Sequence, residues 1–198
     1  MLPLKKFAGA KTKLPTWALG ELDIESQFFS AASDGDLVAS FGAPFESQKP
    51  LVRIHSECVF AEVFDSRLCD CADQLRMALD LLHRSKRGLL FYLRIDGRGA
   101  GLSAKVAATS LEVSGHDTYD SRVAIGVAPE GRAFEEIGTF LKARGVKSIE
   151  LLSNNPSKRE DLVRVGLAVE LVPLKVQPRT PEVERLLETK KKRFGHIL

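Results

Sequence analysis

The sequence has no apolar run long enough to span a lipid bilayer, and residues 1–13 lack the apolar centre of a signal peptide. Lysine and arginine number 29 against 26 acidic residues, a surplus too small to predict a nucleic-acid-binding face. No repeat, low-complexity tract or linker divides the 198 residues. We therefore expect a single domain that binds neither nucleic acid nor membrane, and whose mild positive charge suits a small anionic ligand.

Cysteine is also scarce, and all three cysteines lie within fourteen positions, at Cys58, Cys69 and Cys71. Three thiolates with one open coordination position are typical of a catalytic zinc, whereas a structural zinc usually has four protein ligands. The spacing therefore predicts one zinc ion per chain. His55 as a fourth, structural ligand is one alternative, and three unrelated buried thiols are the other. Because thiolate ligands must stay reduced, we expect a cytoplasmic protein.

Candidate strands and helices alternate through the middle of the chain. Apolar runs at Leu51–Ile54 and Leu89–Leu93 predict buried strands, the second of them nearly continuous. Between them, apolar residues at helical spacing predict a helix that begins at Cys71. Alternation of this kind from residue 51 to residue 172 predicts an α/β fold, with a mixed, partly parallel sheet and flanking helices in a single domain.

The two ends of the chain fall outside this alternation. Residues 1–50 should supply N-terminal strands, with candidates at Leu4–Ala10, Gln27–Ala31 and, after a turn at Asp34-Gly35, Leu37–Phe41. The catalytic core should occupy 51–172. Residues 173–198 should form a C-terminal helical segment. The basic run at its end, residues 190–193, is typical of a solvated helix face.

Polar loops follow the predicted strands, at the sheet edge where α/β folds bind ligands. One of them is a glycine loop, Asp96-Gly97-Arg98-Gly99, which leads into a predicted helix. Such a loop lets backbone N–H groups approach a phosphate, and a helix N-terminus favours anions. Its spacing matches neither a P-loop nor a Rossmann fingerprint, so by itself the loop is a weak indication of phosphate binding.

Taken together, these motifs resemble the GTP cyclohydrolase II family, whose members open the guanine ring of GTP at the start of riboflavin synthesis. The matching motifs, in order, are Arg53-Ile54-His55-Ser56-Glu57-Cys58, Cys69-Asp70-Cys71, Gly97-Arg98, Asp117-Thr118 and Asn154-Asn155-Pro156. The resemblance implies the fold of that family, zinc-dependent ring opening with release of pyrophosphate, Mg²⁺ bound with the nucleotide triphosphate, and a homodimer.

The resemblance also implies roles by position. Cys58, Cys69 and Cys71 would hold the zinc, and Arg132 falls where the family has an arginine regarded as the nucleophile toward the α-phosphate. Glu130 would be an acid or base; without the family context, a surface turn carboxylate is the simpler interpretation. His55 would orient the site by a hydrogen bond. The positions expected to contact the nucleotide are Arg53, His55, Ser56, Glu57, Gln74, Asp96, Gly97, Arg98, Thr118, Ser153 and Lys158.

Several positions depart from the family pattern, and one of them bears on the reaction. Thr109 stands where the family has a catalytic tyrosine, and its hydroxyl is shorter and a much weaker acid. Losing a positioned proton-transfer group typically costs about 10²–10⁴-fold in rate. The other departures are Leu68 for arginine, Asp96 for glutamate, Glu130 for aspartate and Ser153 for threonine.

The sequence therefore predicts a zinc-dependent hydrolase acting on GTP or a related purine nucleotide. The product would be a ribosylaminopyrimidinone 5′-phosphate, and with Thr109 in place of the tyrosine we expect it to retain the formyl group. The alternative from a different functional class is a non-catalytic GTP-binding or regulatory homologue of the same fold.

Overall fold

The computed structural model describes residues 7–29 and 35–198, and these form a mixed sheet flanked by helices. The predicted α/β fold class is confirmed. The strands are β1 (Lys11–Thr16), β2 (Gly20–Gln27), β3 (Asp36–Gly42), β4 (Leu51–Ser56), β5 (Arg87–Leu93), β6 (Ser148–Leu152) and β7 (Ala168–Val172). The helices are α1 (Val59–Glu62), α2 (Cys71–Ser85), α3 (Gly101–Val113), α4 (Asp120–Ala124), α5 (Glu135–Ala143), α6 (Pro156–Arg164) and α7 (Pro181–Phe194).

The sheet has the strand order β1-β2-β3-β5-β4-β6-β7. Its first half is antiparallel, from β1 through β3 to β5. Its second half, β5-β4-β6-β7, is parallel, with helical connections that return the chain to the same end. The carboxyl ends of β4, β5 and β6 therefore meet at one edge, which is where ligands bind in sheets of this kind.

Two apolar cores cover the two faces of the sheet. On one face, Phe91 and its neighbours pack against Ile137 and Leu141 of α5. On the other face, Phe41 and Leu90 pack against Leu82 of α2. Because side chains alternate along a strand, β4 directs Val52 and Ile54 to the first core and Leu51, Arg53 and His55 to the α2 side. The strand thereby delivers two polar side chains to the base of the site.

One of the three predicted N-terminal strands is confirmed, because β3 contains the candidate at Leu37–Phe41. The candidates at Leu4–Ala10 and Gln27–Ala31 fall partly outside the described residues, and the described strands before β3 are β1 and β2. The short helices α1 and α4 were not predicted. Across 7–29 and 35–198, we find no helix with the length and apolar character needed to cross a bilayer.

Candidate active site

The three cysteines converge where β4 ends and α2 begins. Cys58 follows β4 and precedes α1, Cys71 is the first residue of α2, and Cys69 lies in the turn before it. The three sulfur atoms lie within 4.8 Å of one another, and the Cys58 and Cys69 sulfurs are 3.7 Å apart. The separation between two ligands of a tetrahedral zinc with bonds of about 2.3 Å is about 3.8 Å. The cluster therefore has the size and donor set of a thiolate zinc site.

Charge at the cluster is supplied by a buried lysine. Hydrogen bonds from Cys69 and Cys71, together with the charge of Lys105, lower the pKa of Cys58 to about 3, although burial opposes the shift. Lys105 Nζ donates to the Cys58 sulfur at 3.0 Å and to the Asp96 carboxylate at 2.7 and 2.9 Å. The shared hydrogen bonding raises the pKa of Cys69. The lysine places one positive charge beside the three sulfurs, and a bound cation would supply more.

His55 lies next to the cluster, but both of its ring nitrogens are engaged elsewhere. Nε2 contacts Glu62 Oε1 at 2.9 Å, and Nδ1 contacts Arg53 Nη2 at 3.3 Å. Glu62 also accepts from the Cys58 amide at 2.8 Å and from the Tyr92 hydroxyl at 2.6 Å. Burial opposes ionisation of Glu62, but hydrogen bonds from His55 and Tyr92 lower its pKa. His55 therefore takes part in a network that orients the Cys58 backbone, an arrangement that suits the predicted orienting hydrogen bond.

The sulfur cluster opens into a solvent-accessible cavity of about 170 Å³. Sixteen of the seventeen predicted site residues line it, and Glu130, the exception, pairs with the lining residue Arg132. The cations in its wall include Arg53, Arg98, Arg132 and Lys158, which is buried. Burial is the main factor that holds the pKa of Lys158 well below its usual range, and the charges of Arg53 and Arg132 add to it. An anion in this cavity would relieve that repulsion.

The glycine loop and the Glu130–Arg132 loop are in direct backbone contact. Gly131 N donates to Arg98 O at 3.0 Å. Gly99 has φ of +98°, and a Cβ there would lie 2.9 Å from the Gly131 carbonyl carbon, so only glycine permits this approach. Arg98 itself adopts a left-handed conformation, with φ 58° and ψ 36°, a strained arrangement that often marks a functional loop. The contact brings the side chains of Arg98 and Arg132 to the same cavity.

Glu130 and Arg132 form a bidentate ion pair. Arg132 Nε donates to Glu130 Oε1 at 2.7 Å, and Nη2 donates to Oε2. Arg98 Nη1 lies 4.0 Å from the same carboxylate, and the third nitrogen of Arg132, Nη1, reaches Ser56 Oγ at 3.2 Å. Although burial opposes it, the charge and hydrogen bonds of Arg132 lower the pKa of Glu130. The geometry favours a carboxylate that positions Arg132 over one that exchanges protons.

The Asp96 and Arg53 side chains are engaged with the protein itself. Asp96 accepts hydrogen bonds from Gly97 N and from Val59 N, in addition to those from Lys105. Arg53 donates to the Leu152 carbonyl at 2.9 Å and to Gln74 Oε1 at 3.0 Å. Both side chains therefore hold other protein groups in place around the cavity. Their predicted contact with nucleotide remains a prediction.

Thr109 lines the cavity from α3, and no tyrosine lies beside it. Among the residues that the structure describes, the cavity lining includes neither Tyr92, Tyr119 nor Ser110. The Tyr92 hydroxyl is committed to Glu62, and the Tyr119 ring contacts Phe194. No phenol therefore replaces the group that Thr109 lacks.

Several cavity residues were not predicted. Lys105 and Glu112 lie four residues before and three residues after Thr109 on α3, a helical spacing that would have identified both. Arg122 is buried and donates to Glu112 at 2.9 Å and to the Thr118 hydroxyl at 2.8 Å. The remaining ones are Phe60, Ser66, Leu68, Ile95, Asn154, Asn155, Leu186, Lys190 and His196.

The prediction that residues 190–193 form a solvated face is wrong for Lys190. Its side chain is buried and donates to Asp70 Oδ1 at 2.8 Å, while Asp70 Oδ2 accepts from Gln74 Nε2 at 2.5 Å. The charge of Asp70 raises the pKa of Lys190 against the effect of burial. The residues after it, Lys191 to Arg193, are exposed as predicted. This ion pair links α7 to Asp70, the residue between Cys69 and Cys71.

Replacing Lys190 by alanine should lower the free energy of unfolding by about 3–5 kcal/mol, because it leaves the Asp70 carboxylate buried without its partner. Urea unfolding of the two proteins measures the difference. Lys191→Ala is the matched control, since that side chain is exposed on the same helix and should change stability by less than about 0.5 kcal/mol. Equal stabilities for the two variants would contradict the assignment of Lys190 to a buried pair.

Comparisons with known sequences show which family the chain resembles. The sequence model of the GTP cyclohydrolase II family matches residues 8–173. The chain is 36% identical over 190 residues to a GTP cyclohydrolase-2 of Acinetobacter baumannii (strain SDF), covering 95% of this chain and 94% of that protein. It is 40% identical over 156 residues to the riboflavin biosynthesis protein RibBA of Bacillus subtilis (strain 168), covering 78% of this chain and 39% of that protein.

A plant relative is much longer than this chain. A probable monofunctional riboflavin biosynthesis protein of Oryza sativa subsp. japonica, RIBA 3, described as chloroplastic, is 37% identical over 193 residues. The alignment covers 95% of this chain but only 35% of the rice protein, so the chain spans about a third of that relative.

Proposed function

Because the chain belongs to the GTP cyclohydrolase II family, we propose that it is a zinc-dependent hydrolase that opens the imidazole ring of GTP and releases pyrophosphate. The observation that carries the proposal is one cavity in which three cysteine sulfurs and a set of buried cations face the same space. The sulfurs are ligands that zinc prefers, and the cations suit a triphosphate chain. The product would be a ribosylaminopyrimidinone 5′-phosphate.

Cys58, Cys69 and Cys71 would hold one zinc ion per chain. A zinc ion bound there supplies Lewis acidity and a water that is activated at neutral pH, as attack at C8 of guanine requires. Lys105 would remain hydrogen-bonded to the Cys58 sulfur and would withdraw electron density from that ligand. Glu62, by accepting from the Cys58 amide, would fix the backbone of the first ligand.

The phosphate chain would lie along the cationic wall. Arg132 is positioned by Glu130 and presents Nη1 near Ser56, so it is the group that we propose faces the α-phosphate. Arg98 and Lys158 would neutralise the charge of the remaining phosphates, with Mg²⁺ accompanying the triphosphate. Release of pyrophosphate would thus depend on residues other than the cysteines.

We further propose that the reaction ends with the formyl group retained. Hydrolysis at C8 first leaves a formamide on the exposed nitrogen, and a second step removes formate. The second step needs a proton-transfer group, and the cavity has Thr109 at the expected position, with no described tyrosine in its lining. A threonine hydroxyl is too weak an acid to serve.

Mass identification of the product formed from GTP and Mg²⁺ tests this proposal. The expected product is a ring-opened nucleoside monophosphate that retains the formyl group, with pyrophosphate in equal amount and little formate. Thr109→Tyr should raise formate release per pyrophosphate at least about tenfold, because it restores a phenol at the position that faces the cavity. Ser110→Tyr is the matched control, since Ser110 is exposed on the same helix and should change nothing. Stoichiometric formate from the unaltered protein would contradict formyl retention, and an unchanged purine absorbance would contradict ring opening.

The second candidate is a GTP-binding protein without turnover. Two observations favour it: Thr109 has no phenol, and the Glu130 carboxylate is held in ion pairs with Arg132 and Arg98. It predicts saturable GTP binding with no pyrophosphate, which the same assay distinguishes from the first proposal.

The family resemblance also leads us to propose a domain organisation, a cellular location and an oligomeric state. Residues 1–198 would act as one domain, because the cavity takes side chains from Arg53 to His196. The protein would be cytoplasmic, where its thiols remain reduced. It would also form a homodimer. The apolar side of α7 gives less support for a dimer than the sequence suggested, because Val183 is buried and Leu186 lines the cavity.

A further inference from the structure

Arg98 lines the cavity, but its guanidinium forms no hydrogen bond with any residue in 7–29 or 35–198. Its ion-pair partner, Glu130 Oε2, lies 4.0 Å from Nη1, which is too far for a hydrogen bond. In the described part of the chain, the guanidinium nitrogens that are buried without a partner are Nε of Arg53 and Nε of Arg122, and none belongs to Arg98. The Arg98 nitrogens are therefore accessible, and their N–H groups are available to a ligand.

Arg98 differs in this respect from Arg132, the other arginine that we assign to the phosphate chain. Glu130 occupies two nitrogens of Arg132, and the third reaches Ser56. Burial lowers the pKa of Arg98 to about 10, and the charges of Arg132 and Arg122 add to the shift, so the guanidinium stays protonated at neutral pH beside two like charges. A long charged side chain loses conformational entropy and meets repulsion when it extends into such a place. A contact other than a hydrogen bond must hold it there.

The ring of Phe194, the last residue of α7, supplies that contact. Arg98 Cζ lies over the ring, 4.2 Å from its centroid. The attraction is between the cation and the negative face of the ring, and it does not use the N–H groups of the guanidinium. Phe194 is not among the residues that line the cavity, and it lies beyond residues 8–173, which the family model matches. It therefore supports Arg98 from behind.

The Phe194 ring is itself held by α4. Its centroid lies 5.6 Å from that of the Tyr119 ring, and Arg193 Cζ lies over Tyr119, 4.7 Å from the ring centroid. Arg193 Nη2 also donates to Asp120 Oδ1 at 3.0 Å. These contacts fasten the end of α7 to the start of α4, so the ring forms a fixed support for the arginine.

We propose that Phe194 is a positioning residue, which holds the Arg98 guanidinium in the cavity with its N–H groups free to bind phosphate oxygens of the nucleotide. This inference rests on the proposed function for the identity of the ligand. A carboxylate in the place of the ring would occupy N–H groups and neutralise the charge, whereas an aromatic face does neither. The C-terminal helix would thereby contribute to phosphate binding without touching the ligand.

Two substitutions of Phe194 test whether the aromatic face is what matters. Calorimetric titration of each full-length variant with GTP, and separately with inorganic triphosphate, which has no ring to open, measures the affinities. We expect Phe194→Leu to weaken both ligands by about 3- to 30-fold, the loss of one partly desolvated cation–π contact. Phe194→Tyr keeps the ring and should stay within about twofold of the unaltered protein.

A double-mutant cycle with Arg98 separates positioning from a general effect on the fold. Arg98→Gln removes the charge, keeps most of the side-chain length and should weaken both ligands by about 10- to 100-fold. When Arg98→Gln is already present, adding Phe194→Leu should weaken binding by less than about a further twofold, because the ring then has no guanidinium to hold.

Phe45→Leu is the matched control. Arg144 Cζ lies 5.7 Å from the centroid of the Phe45 ring, so the substitution also removes an arginine–ring contact. Phe45 follows β3, whose last residue, Gly42, pairs with Arg87 at the start of β5, so it lies at the sheet edge opposite the site. It should change neither affinity.

Unchanged affinities in Phe194→Leu would overturn the inference, and so would equal losses in the Leu and Tyr variants. A loss of the same factor with and without Arg98→Gln would also overturn it, because the ring would then act through the fold. If Arg98→Gln bound too weakly to titrate, the contrast between Leu and Tyr would decide. If the unaltered protein bound inorganic triphosphate but not GTP, the proposed function would fail while the triphosphate titrations still tested Phe194. Binding of neither ligand to the unaltered protein would overturn both.

Discussion

Replacing Cys69 by serine should remove the metal, reducing the zinc content of the purified protein from one ion per chain to nearly none. A serine hydroxyl is a poor ligand at neutral pH, and two remaining thiolates cannot hold zinc as firmly as three. Ring opening of GTP should be lost together with the metal. Elemental analysis of the purified variant, beside the change in purine absorbance, measures the two effects independently.

The control for this experiment lies in the same loop. Arg67 has an exposed side chain two residues before Cys69, so Arg67→Ala alters the loop without removing a sulfur. It should keep a full complement of zinc. Zinc that remained bound at one ion per chain in Cys69→Ser would show that the ligand set is wrong, and His55 would then be the first residue to examine.

The position of the site could be predicted because it depends on short-range sequence patterns. Apolar runs define β4 and β5, and polar motifs follow them directly. Once these strands are taken as parallel, their carboxyl ends must share one edge, and the loops after them must meet there. The motif at Arg53–Cys58 and the glycine loop at Asp96–Gly99 converge for this reason.

The first strand, β1, could not be placed because its sequence pattern carries little information. All but the last residue of β1 is exposed, and its sequence, Lys11–Thr16, contains Pro15 and has no alternation of apolar and polar residues. Such a strand lies at the edge of a sheet, where one side of its backbone is unpaired and no core selects its side chains. Periodicity therefore cannot locate it.

Buried lysines were missed because their burial depends on partners distant in sequence. Lys190 belongs to a basic run and would be solvated if α7 were isolated, and only its ion pair with Asp70, 120 residues away, keeps it inside. Lys105 lies in a helix rich in alanine, with little contrast between its faces, and is held by Cys58 and Asp96. Composition gives no indication of either pairing. Helical spacing from Thr109 would have placed Lys105 on the cavity side of α3, but no local pattern distinguishes Lys190 from the exposed residues that follow it.

Arg132→Ala should lower the rate of pyrophosphate release by about 10²–10³-fold or more, because it removes the charged group that we propose faces the α-phosphate. Cys69→Ser should fail differently: it should still release pyrophosphate from GTP while leaving the purine ring closed. The two variants are compared with one assay for pyrophosphate and one for purine absorbance. Arg164→Ala, at an exposed arginine paired with Glu135 on the surface, is the control for loss of a guanidinium and should retain both activities. Equal loss of both products in Arg132→Ala and Cys69→Ser would contradict separate groups for the two steps.

Glu130→Gln then separates positioning from proton transfer. The carboxylate anchors two nitrogens of Arg132, and its pKa is lowered by that arginine, so we expect it to act by holding the guanidinium. Glutamine cannot accept from both nitrogens, because one of its two terminal atoms is a donor. Pyrophosphate release should therefore fall, by less than in Arg132→Ala, and its dependence on pH should keep the shape seen in the unaltered protein. If Glu130 instead exchanged a proton in the reaction, the substitution would remove one limb of the pH profile, and that result would return the residue to the acid or base role that the family resemblance implies.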